Sequence, residues 1–250
     1  MAAPSWLTAR PIAHRGYHDA AAGRIENTLA AAEAAIARNF AIECDLQRTA
    51  DDRPVVFHDD TLDRLTRTSG PVERKSLAEL RSVRFQTGDA VVPTLEDLLD
   101  LVDGRVPLVI EMKSRFTGDR RLEAAAATVL STYTGPVAVM SFDPASMTAM
   151  RRLTPNLPRG MLADRFTAAD RPTLPLPARI AGASLLAAPM VLPSFVAYAV
   201  RALPASPPLA LRHFFRLPLL TWTVRTAEER ATAKAWADQI IFEGFDPDAA

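Results

Sequence analysis

Two short segments carry charged side chains at every second position of an apolar run. In FAIECDLQ these are Glu43 and Asp45, and in PLVIEMKS they are Glu111 and Lys113. Successive side chains of a β-strand point to opposite faces, so each pair shares one face. Carboxylates are costly to bury alone, and Mg²⁺ and Ca²⁺ take oxygen ligands. The spacing predicts that Glu43, Asp45 and Glu111 hold one divalent cation, Mg²⁺ or Ca²⁺.

A solvated polar face on an edge strand is the alternative for either segment alone. The same pattern in two segments favours the cation site. Three acids, one divalent cation and the two bases Arg15 and Lys113 leave a net charge of +1, which suits a substrate with a single negative charge, such as a phosphodiester. The planar guanidinium of Arg15 also matches a pair of phosphate oxygens.

Two histidines stand where predicted strands end. His14 closes PIAH and His58 closes PVVFH. Two histidines form a natural general acid and general base near neutral pH. We therefore predict that His14 and His58 are catalytic, whereas His18 and His213 lie in connecting segments and are interpreted as structural.

The elements that must position these residues alternate between strands and helices. Such β-α alternation is typical of a parallel sheet, and its number of units in this length favours a TIM (β/α)8 barrel. Active sites of these barrels lie at the carboxyl ends of the strands. The predicted strands are Ile12 to His14, Ala41 to Leu46, Val55 to His58, Leu108 to Met112, Val137 to Ser141, Gly160 to Leu162, Ser184 to Ala187, Leu220 to Val224 and Ile240 to Phe242.

Three segments predict individual features of the fold, namely a helix, an insertion and an incomplete last unit. Thr94 to Val102 is the clearest helix, with a capping box at Thr94 and Asp97 and a stop at Gly104. Residues 59–92 hold charges, turns and one short helix, which indicates a small insertion after the second strand. The residues after Phe242 predict a truncated or missing last helix. We expect a single domain over residues 1–250.

Composition limits the function. The 250 residues include 29 Lys and Arg and 29 Asp and Glu, so the chain has no global field to attract nucleic acid. A single cysteine, Cys44, excludes an internal disulfide framework and a zinc site built of cysteines. The N-terminus lacks the pattern of a signal peptide, so we expect a cytoplasmic protein.

The segment at about 180–200 carries no charge and is long enough for a membrane helix. Pro189 and Pro193 divide it, and each proline removes a backbone donor. We therefore expect a buried strand over Ser184 to Ala187 and a helix from about Pro193, with no stable membrane insertion. Later in the chain Trp222 either lines a substrate pocket or packs under a helix.

Taken together, the motifs resemble those of the glycerophosphodiester phosphodiesterase family. The resemblance runs in order along most of the chain and is densest over residues 11–113. It implies a TIM barrel that hydrolyses glycerophosphodiesters, a small-molecule substrate, to sn-glycerol 3-phosphate and an alcohol. The matching segments are HRG at 14–16, ENT at 26–28, IECD at 42–45, PVVFHDDTLDRLT at 54–66, EMK at 111–113 and WTV at 222–224.

Carried over by motif, the resemblance assigns a role to each matching residue. His14 and His58 would be the acid–base pair, and Arg15 and Lys113 would bind phosphate beside the cation held by the three carboxylates. Glu26 and Asn27 would orient these groups. From its place on the strand, we predict that Trp222 contacts substrate.

Two positions depart from the family pattern: WTVR has Arg225 in place of an amide, and FEGFDP replaces a T-D-x-P pattern. They leave the preferred alcohol open. Two alternatives also stay open, namely cleavage of lysophospholipids in the manner of a phospholipase D, and a barrel that binds a phosphodiester without catalysis.

Overall fold

The protein is described from a computed structural model that covers residues 3–166 and 176–249. The chain divides into two compact units, Ala13–Val137 and Met1–Ile12 with Ala138–Ala250. The nine strands of the described residues belong to one sheet. They are β1 Ile12–Ala13, β2 Ala41–Arg48, β3 Pro54–Val56, β4 Leu108–Met112, β5 Val137–Ser141, β6 Arg159–Ala163, β7 Phe195–Ala199, β8 Leu219–Val224 and β9 Gln239–Phe242.

Helices alternate with the strands, and the fold is the predicted (β/α)8 barrel with β3 as an additional strand beside β2. No helix follows β9 among the residues described up to 249, in agreement with the prediction for the last helix. The single domain stays a prediction. The helices are α1 Leu29–Ala37, α2 Leu77–Ser82, α3 Leu95–Val102, α4 Arg121–Leu130, α5 Pro144–Leu153, α6 Leu176–Ala183, α7 Ala188–Val191, α8 Ser206–Phe215 and α9 Ala227–Trp236.

In the unit Ala13–Val137, β2 carries Glu43 and Asp45. It pairs in parallel with β4, so that Asp45 lies beside Glu111. On its other side it pairs antiparallel with β3, with Leu46 opposite Val56. This pairing sets the carboxyl end of β2 next to the residues that follow β3, His58 among them.

Helix α3 begins as predicted. The Thr94 hydroxyl accepts a hydrogen bond from the Asp97 amide, and the Asp97 carboxylate accepts one from the Thr94 amide, which completes a capping box. The helix buries its apolar face and ends at Asp103, which has a left-handed backbone (φ 44°). The stop therefore lies one residue before Gly104.

The predicted insertion at residues 59–92 has an apolar core of its own. Val72, Leu80 and Phe85 are buried and pack with Phe57, which directly precedes His58. A capping box at Ser76 begins α2, the one α-helix of this segment, which matches the single short helix that the sequence predicts there. Because the insertion packs against the end of β3, it fixes the backbone that carries His58.

In the other unit, β6, β7, β8 and β9 pair in parallel in that order. The ring of Phe195 in β7 lies against Gly160 of β6, where a Cβ atom would come within 2.3 Å of the ring. A glycine at this position therefore permits the close approach of the two strands. The buried residues of this unit are mostly apolar side chains of its strands.

The prediction for residues 184–200 is wrong. Ser184 to Ala187 forms a turn between α6 and α7, and the strand lies at Phe195–Ala199, where a helix was expected. Proline can precede a strand as well as occupy the first turn of a helix, so Pro193 did not discriminate between them. None of the described helices is long and apolar enough to cross a bilayer.

Candidate active site

The three predicted cation ligands lie together. Glu43 and Asp45 project from β2 and Glu111 projects from β4, and all three are buried. One carboxylate oxygen from each lies within 4.8 Å of the other two. The alternation along β2 and the parallel register with β4 therefore produce the cluster that the sequence predicts.

The three carboxylates differ in how readily they ionise. Burial, Asp45 and Glu111 raise the pKa of Glu43 well above its usual range. Burial and Asp45 also raise the pKa of Glu111, although Lys113 opposes the shift. Burial alone would raise the pKa of Asp45, but Lys113, His58 and Arg15 outweigh it and hold that pKa far below its usual range. Without further positive charge, the cluster is electrostatically strained.

Two bases flank the carboxylates. The Lys113 Nζ lies 3.0 Å from Glu111 Oε1 and 3.3 Å from Asp45 Oδ1. The Arg15 Nε lies 3.4 Å from Asp45 Oδ2, and the Arg15 amide donates a hydrogen bond of 2.9 Å to Glu43 Oε2. The bases leave one negative charge uncompensated, so the cluster has the all-oxygen ligands and the charge that suit a hard divalent cation.

Arg15 occupies a tight turn. Its backbone is left-handed (φ 55°), and Gly16 follows with φ 78°. A Cβ atom at Gly16 would lie 2.8 Å from the carbonyl carbon of Ala31 in α1, which excludes any side chain there. The HRG motif thus turns the chain sharply enough to bring the Arg15 amide onto Glu43.

Two hydrogen bonds between Asn27 and Asp45 hold this loop against β2. The Asn27 Nδ2 donates a hydrogen bond of 2.8 Å to Asp45 Oδ2, and the Asn27 Oδ1 accepts one of 3.2 Å from the Asp45 amide. Asn27 is buried and also has a left-handed backbone, which asparagine tolerates better than most residues. The predicted orienting residue therefore contacts one of the three carboxylates directly.

The two predicted catalytic histidines lie in the same unit as the carboxylates. The His14 Nε2 lies 3.9 Å from Glu43 Oε2, and the ring is 12% exposed. The His58 Nδ1 lies 2.6 Å from Asp59 Oδ1, and the His58 ring is 30% exposed. Burial lowers the pKa of His58, with Lys113 and Arg15 adding to the shift against the opposing effect of Asp45.

Sequence reasoning missed Asp59 and Arg64. Arg64 donates to Asp59 at 2.5 Å and to Glu26 at 2.7 Å, and Glu26 in turn accepts from Arg15 at 2.6 Å. A chain of charged hydrogen bonds therefore runs from His58 to Arg15. Both missed residues stand in the segment HDDTLDR, and an acid next to a predicted catalytic histidine was the available signal.

Trp222, Arg225 and Glu243 lie in the other unit. The Trp222 ring meets Phe142 edge to face at 5.5 Å, and its Nε1 is buried without a hydrogen-bond partner. Its contact with substrate stays a prediction. Arg225 Nε and Glu243 Oε1 lie 2.5 Å apart, so the two departures from the expected motifs pair with each other.

Comparison with known proteins identifies the family of this chain. The model of the glycerophosphoryl diester phosphodiesterase family matches residues 14–243. A glycerophosphodiester phosphodiesterase of Bacillus subtilis is 31% identical over 177 residues, which are 61% of this chain and 59% of the relative. One of Caldanaerobacter subterraneus is 31% identical over 161 residues, which are 60% of this chain and 65% of the relative. The chain thus spans less than two thirds of the length of these relatives.

Solved structures show the same fold. A phosphodiesterase of Oleispira antarctica, in complex with the product sn-glycerol-3-phosphate, has a TM-score of 0.74 at 20% identity. The superposition covers 94% of this chain and 92% of that one. The family match covers every predicted site residue from His14 to Trp222. The chain belongs to the glycerophosphoryl diester phosphodiesterase family.

Proposed function

We propose that this protein hydrolyses glycerophosphodiesters to sn-glycerol 3-phosphate and an alcohol with the aid of one divalent cation, Mg²⁺ or Ca²⁺. The observation that supports the proposal is the buried cluster of Glu43, Asp45 and Glu111, with Arg15 and Lys113 against it. Family membership and the names of the relatives agree with it.

Glu43, Asp45 and Glu111 would hold the cation. A bound divalent cation withdraws electron density from phosphoryl oxygens and offsets the charge that develops on them. Arg15 and Lys113 add fixed positive charge at the same place, and their pKa values are raised by neighbouring carboxylates despite burial, so both stay protonated. The phosphodiester would bind with its non-bridging oxygens toward these groups.

The hydrogen bonds around His58 favour the role of general base. Burial opposes ionisation of Asp59, but Arg64 and His58 outweigh it and lower its pKa, so Asp59 is a carboxylate that only accepts hydrogen bonds. The proton of a neutral His58 ring is then on Nδ1, and Nε2 has the free lone pair. With its lowered pKa, His58 is neutral near pH 7 and ready to take a proton.

His58 would remove the proton from the attacking hydroxyl, which is either water or the 2-hydroxyl of the substrate's glycerol. The new P–O bond forms as the bond to the alcohol breaks, and His14 donates a proton to the departing alkoxide. If the 2-hydroxyl attacks, the first product is a cyclic phosphodiester, and water must then open its ring to give sn-glycerol 3-phosphate. The proposal that His14 carries this proton is supported by its position, with Nε2 3.9 Å from Glu43 Oε2. Removal of either histidine is expected to lower kcat about 10²–10⁴-fold.

The test is release of glycerol 3-phosphate from a panel of glycerophosphodiesters, with EDTA, Mg²⁺ or Ca²⁺. His14→Ala and His58→Ala should lose activity, whereas His213→Ala, an exposed histidine of the other unit, should keep it. Activity that is indifferent to chelation would overturn the cation site. Parent-like rates in His14→Ala or His58→Ala would overturn the acid–base pair.

One observation favours lysophospholipids as a second class of substrate. Leu186, Met190 and Leu192 are 68%, 52% and 51% exposed, and they give residues 186–192 an apolar surface. A surface of this kind can contact the acyl region of an aggregated substrate. Flotation of the protein with lysophospholipid-containing liposomes, together with choline release, tests this candidate. Loss of flotation in Leu186→Ser with Met190→Ser is the expected result.

A further inference from the structure

A small cavity lies beside Lys113. Its volume is about 170 Å³, and it is formed between the ends of β2 and β4 and the first turn of α4. It has room for a group of several heavy atoms, because a cavity of about 10–15 Å³ is enough to hold one water. All residues that line it belong to the unit Ala13–Val137, and they include Gln47, Arg48, Lys113, Ser114, Asp119 and Glu123.

One carboxylate in the cavity is not fully satisfied. Glu123 is 1% exposed, and its Oε1 accepts a hydrogen bond of 3.3 Å from Arg120. Its Oε2 is buried and has no hydrogen-bond partner, and it is the one such side-chain atom among the residues lining this cavity. A buried carboxylate oxygen without a donor is unfavourable, so a ligand that brings a donor would relieve it.

The other charged groups around the cavity are paired. Arg48 donates to Asp52 at 2.7 Å, and Arg115 donates to Glu73 at 2.9 Å. Among the carboxylates that line the cavity, Glu123 is the one with an oxygen that is buried and accepts no hydrogen bond. Its surroundings therefore favour a ligand with a positively charged hydrogen-bond donor over an anion.

The position of Lys113 relates the cavity to the proposed reaction. Its Nζ contacts Glu111 and Asp45 in the carboxylate cluster, and the same residue lines the cavity. A phosphodiester bound at Lys113 would therefore have the cavity within reach of one of its two ester arms. The inference rests on the proposed function, because it gives this cavity to the alcohol arm of the substrate.

We propose that the cavity is a subsite for the leaving alcohol and that Glu123 selects alcohols with a primary ammonium group, as in ethanolamine. A primary ammonium has three N–H donors for Glu123 Oε2, whereas the quaternary ammonium of choline has none. A neutral hydroxyl, as in glycerol, donates a weaker bond and takes an intermediate place. Glu123 would thus determine specificity without touching the reacting phosphorus.

The experiment compares kcat/KM for glycerophosphoethanolamine, glycerophosphoglycerol and glycerophosphocholine. The parent should prefer the ethanolamine ester to the choline ester, and Glu123→Gln should lower that ratio about tenfold or more. Glu96→Gln is the matched control. Like Glu123, Glu96 lies in the first turn of a helix, pairs with an arginine and has a buried Oε2 without a hydrogen-bond partner. Unlike Glu123, it is not among the residues that line the cavity. Its ratio should equal that of the parent.

An unchanged ratio in Glu123→Gln would overturn the subsite. If the parent hydrolyses none of the three esters, the proposed hydrolysis fails instead. In that case calorimetry decides the subsite without turnover, through the affinity of the parent and of Glu123→Gln for glycerophosphoethanolamine and glycerophosphocholine. Equal affinities of the parent for the two esters would refute the proposal even if Glu123→Gln failed to fold.

Discussion

Asn27→Ala is expected to destabilise the protein strongly, although Asn27 has no proposed part in the chemistry. The substitution removes two hydrogen bonds to Asp45, one of them to its carboxylate, and leaves their partners buried. It also places alanine at a left-handed backbone position (φ 57°).

The magnitude follows from these contacts. A hydrogen bond to a charged group contributes about 1.5–3 kcal/mol, and one between neutral groups about 1 kcal/mol. A left-handed backbone costs about 1–2 kcal/mol for a residue with a Cβ atom. We therefore expect Asn27→Ala to lower the free energy of unfolding by about 4 kcal/mol.

Urea denaturation in EDTA, followed by circular dichroism, measures this change. Asn27→Gly loses the same hydrogen bonds but keeps the backbone freedom, so it should be less destabilised than Asn27→Ala by about 1 kcal/mol. Asp103, an exposed residue that ends α3 with φ 44°, supplies the backbone contribution separately through Asp103→Ala and Asp103→Gly. If Asn27→Ala unfolds within 1 kcal/mol of the parent, the Asn27–Asp45 contact does not hold the loop.

Three further predictions concern titrating groups. Burial and two neighbouring carboxylates raise the pKa of Glu43, so the folded protein loses stability as pH rises from the unfolded value of about 4.3 through that raised pKa. Glu43→Gln should therefore have a higher melting temperature than the parent at pH 8 in EDTA, and Mg²⁺ or Ca²⁺ should no longer stabilise it. A melting temperature below that of the parent would contradict this. The Asp59 hydrogen bond raises the pKa of His58, so Asp59→Asn should move the acidic limb of kcat/KM to lower pH, and an unmoved limb would count against His58 as the base. Burial and two flanking acids raise the pKa of the Cys44 thiol well above its usual range, so native protein at pH 8 should react with Ellman's reagent only after urea is added; rapid reaction of native protein would refute its burial.

The carboxylate cluster could be predicted from the sequence because strand geometry is strictly periodic. Glu43 and Asp45 must share a face, and an equally patterned strand with Glu111 supplies a third carboxylate. The parallel register of β2 and β4 then completes the cluster. Local rules of this kind also predicted the capping box at Thr94.

Other features depend on contacts that no local pattern encodes. The strand Phe195–Ala199 is buried on both faces, so its apolar residues show no periodicity that would separate a strand from a helix. The link from Asp59 through Arg64 to Glu26 joins residues up to 38 positions apart. Glu123 reads as an ordinary acid in the first turn of a helix, and only its burial reveals the unsatisfied oxygen.

Gly16 has a consequence for the interpretation of sequence variants. No residue with a Cβ atom fits there, because Ala31 of α1 lies too close, and the neighbouring Arg15 amide bonds Glu43 through the same turn. In a mutational scan, Gly16 should therefore score among the least tolerant positions despite having no side chain. A variant at Gly16 should therefore be interpreted as a change to the backbone that positions Arg15 against Glu43, even though Gly16 itself contributes no side chain.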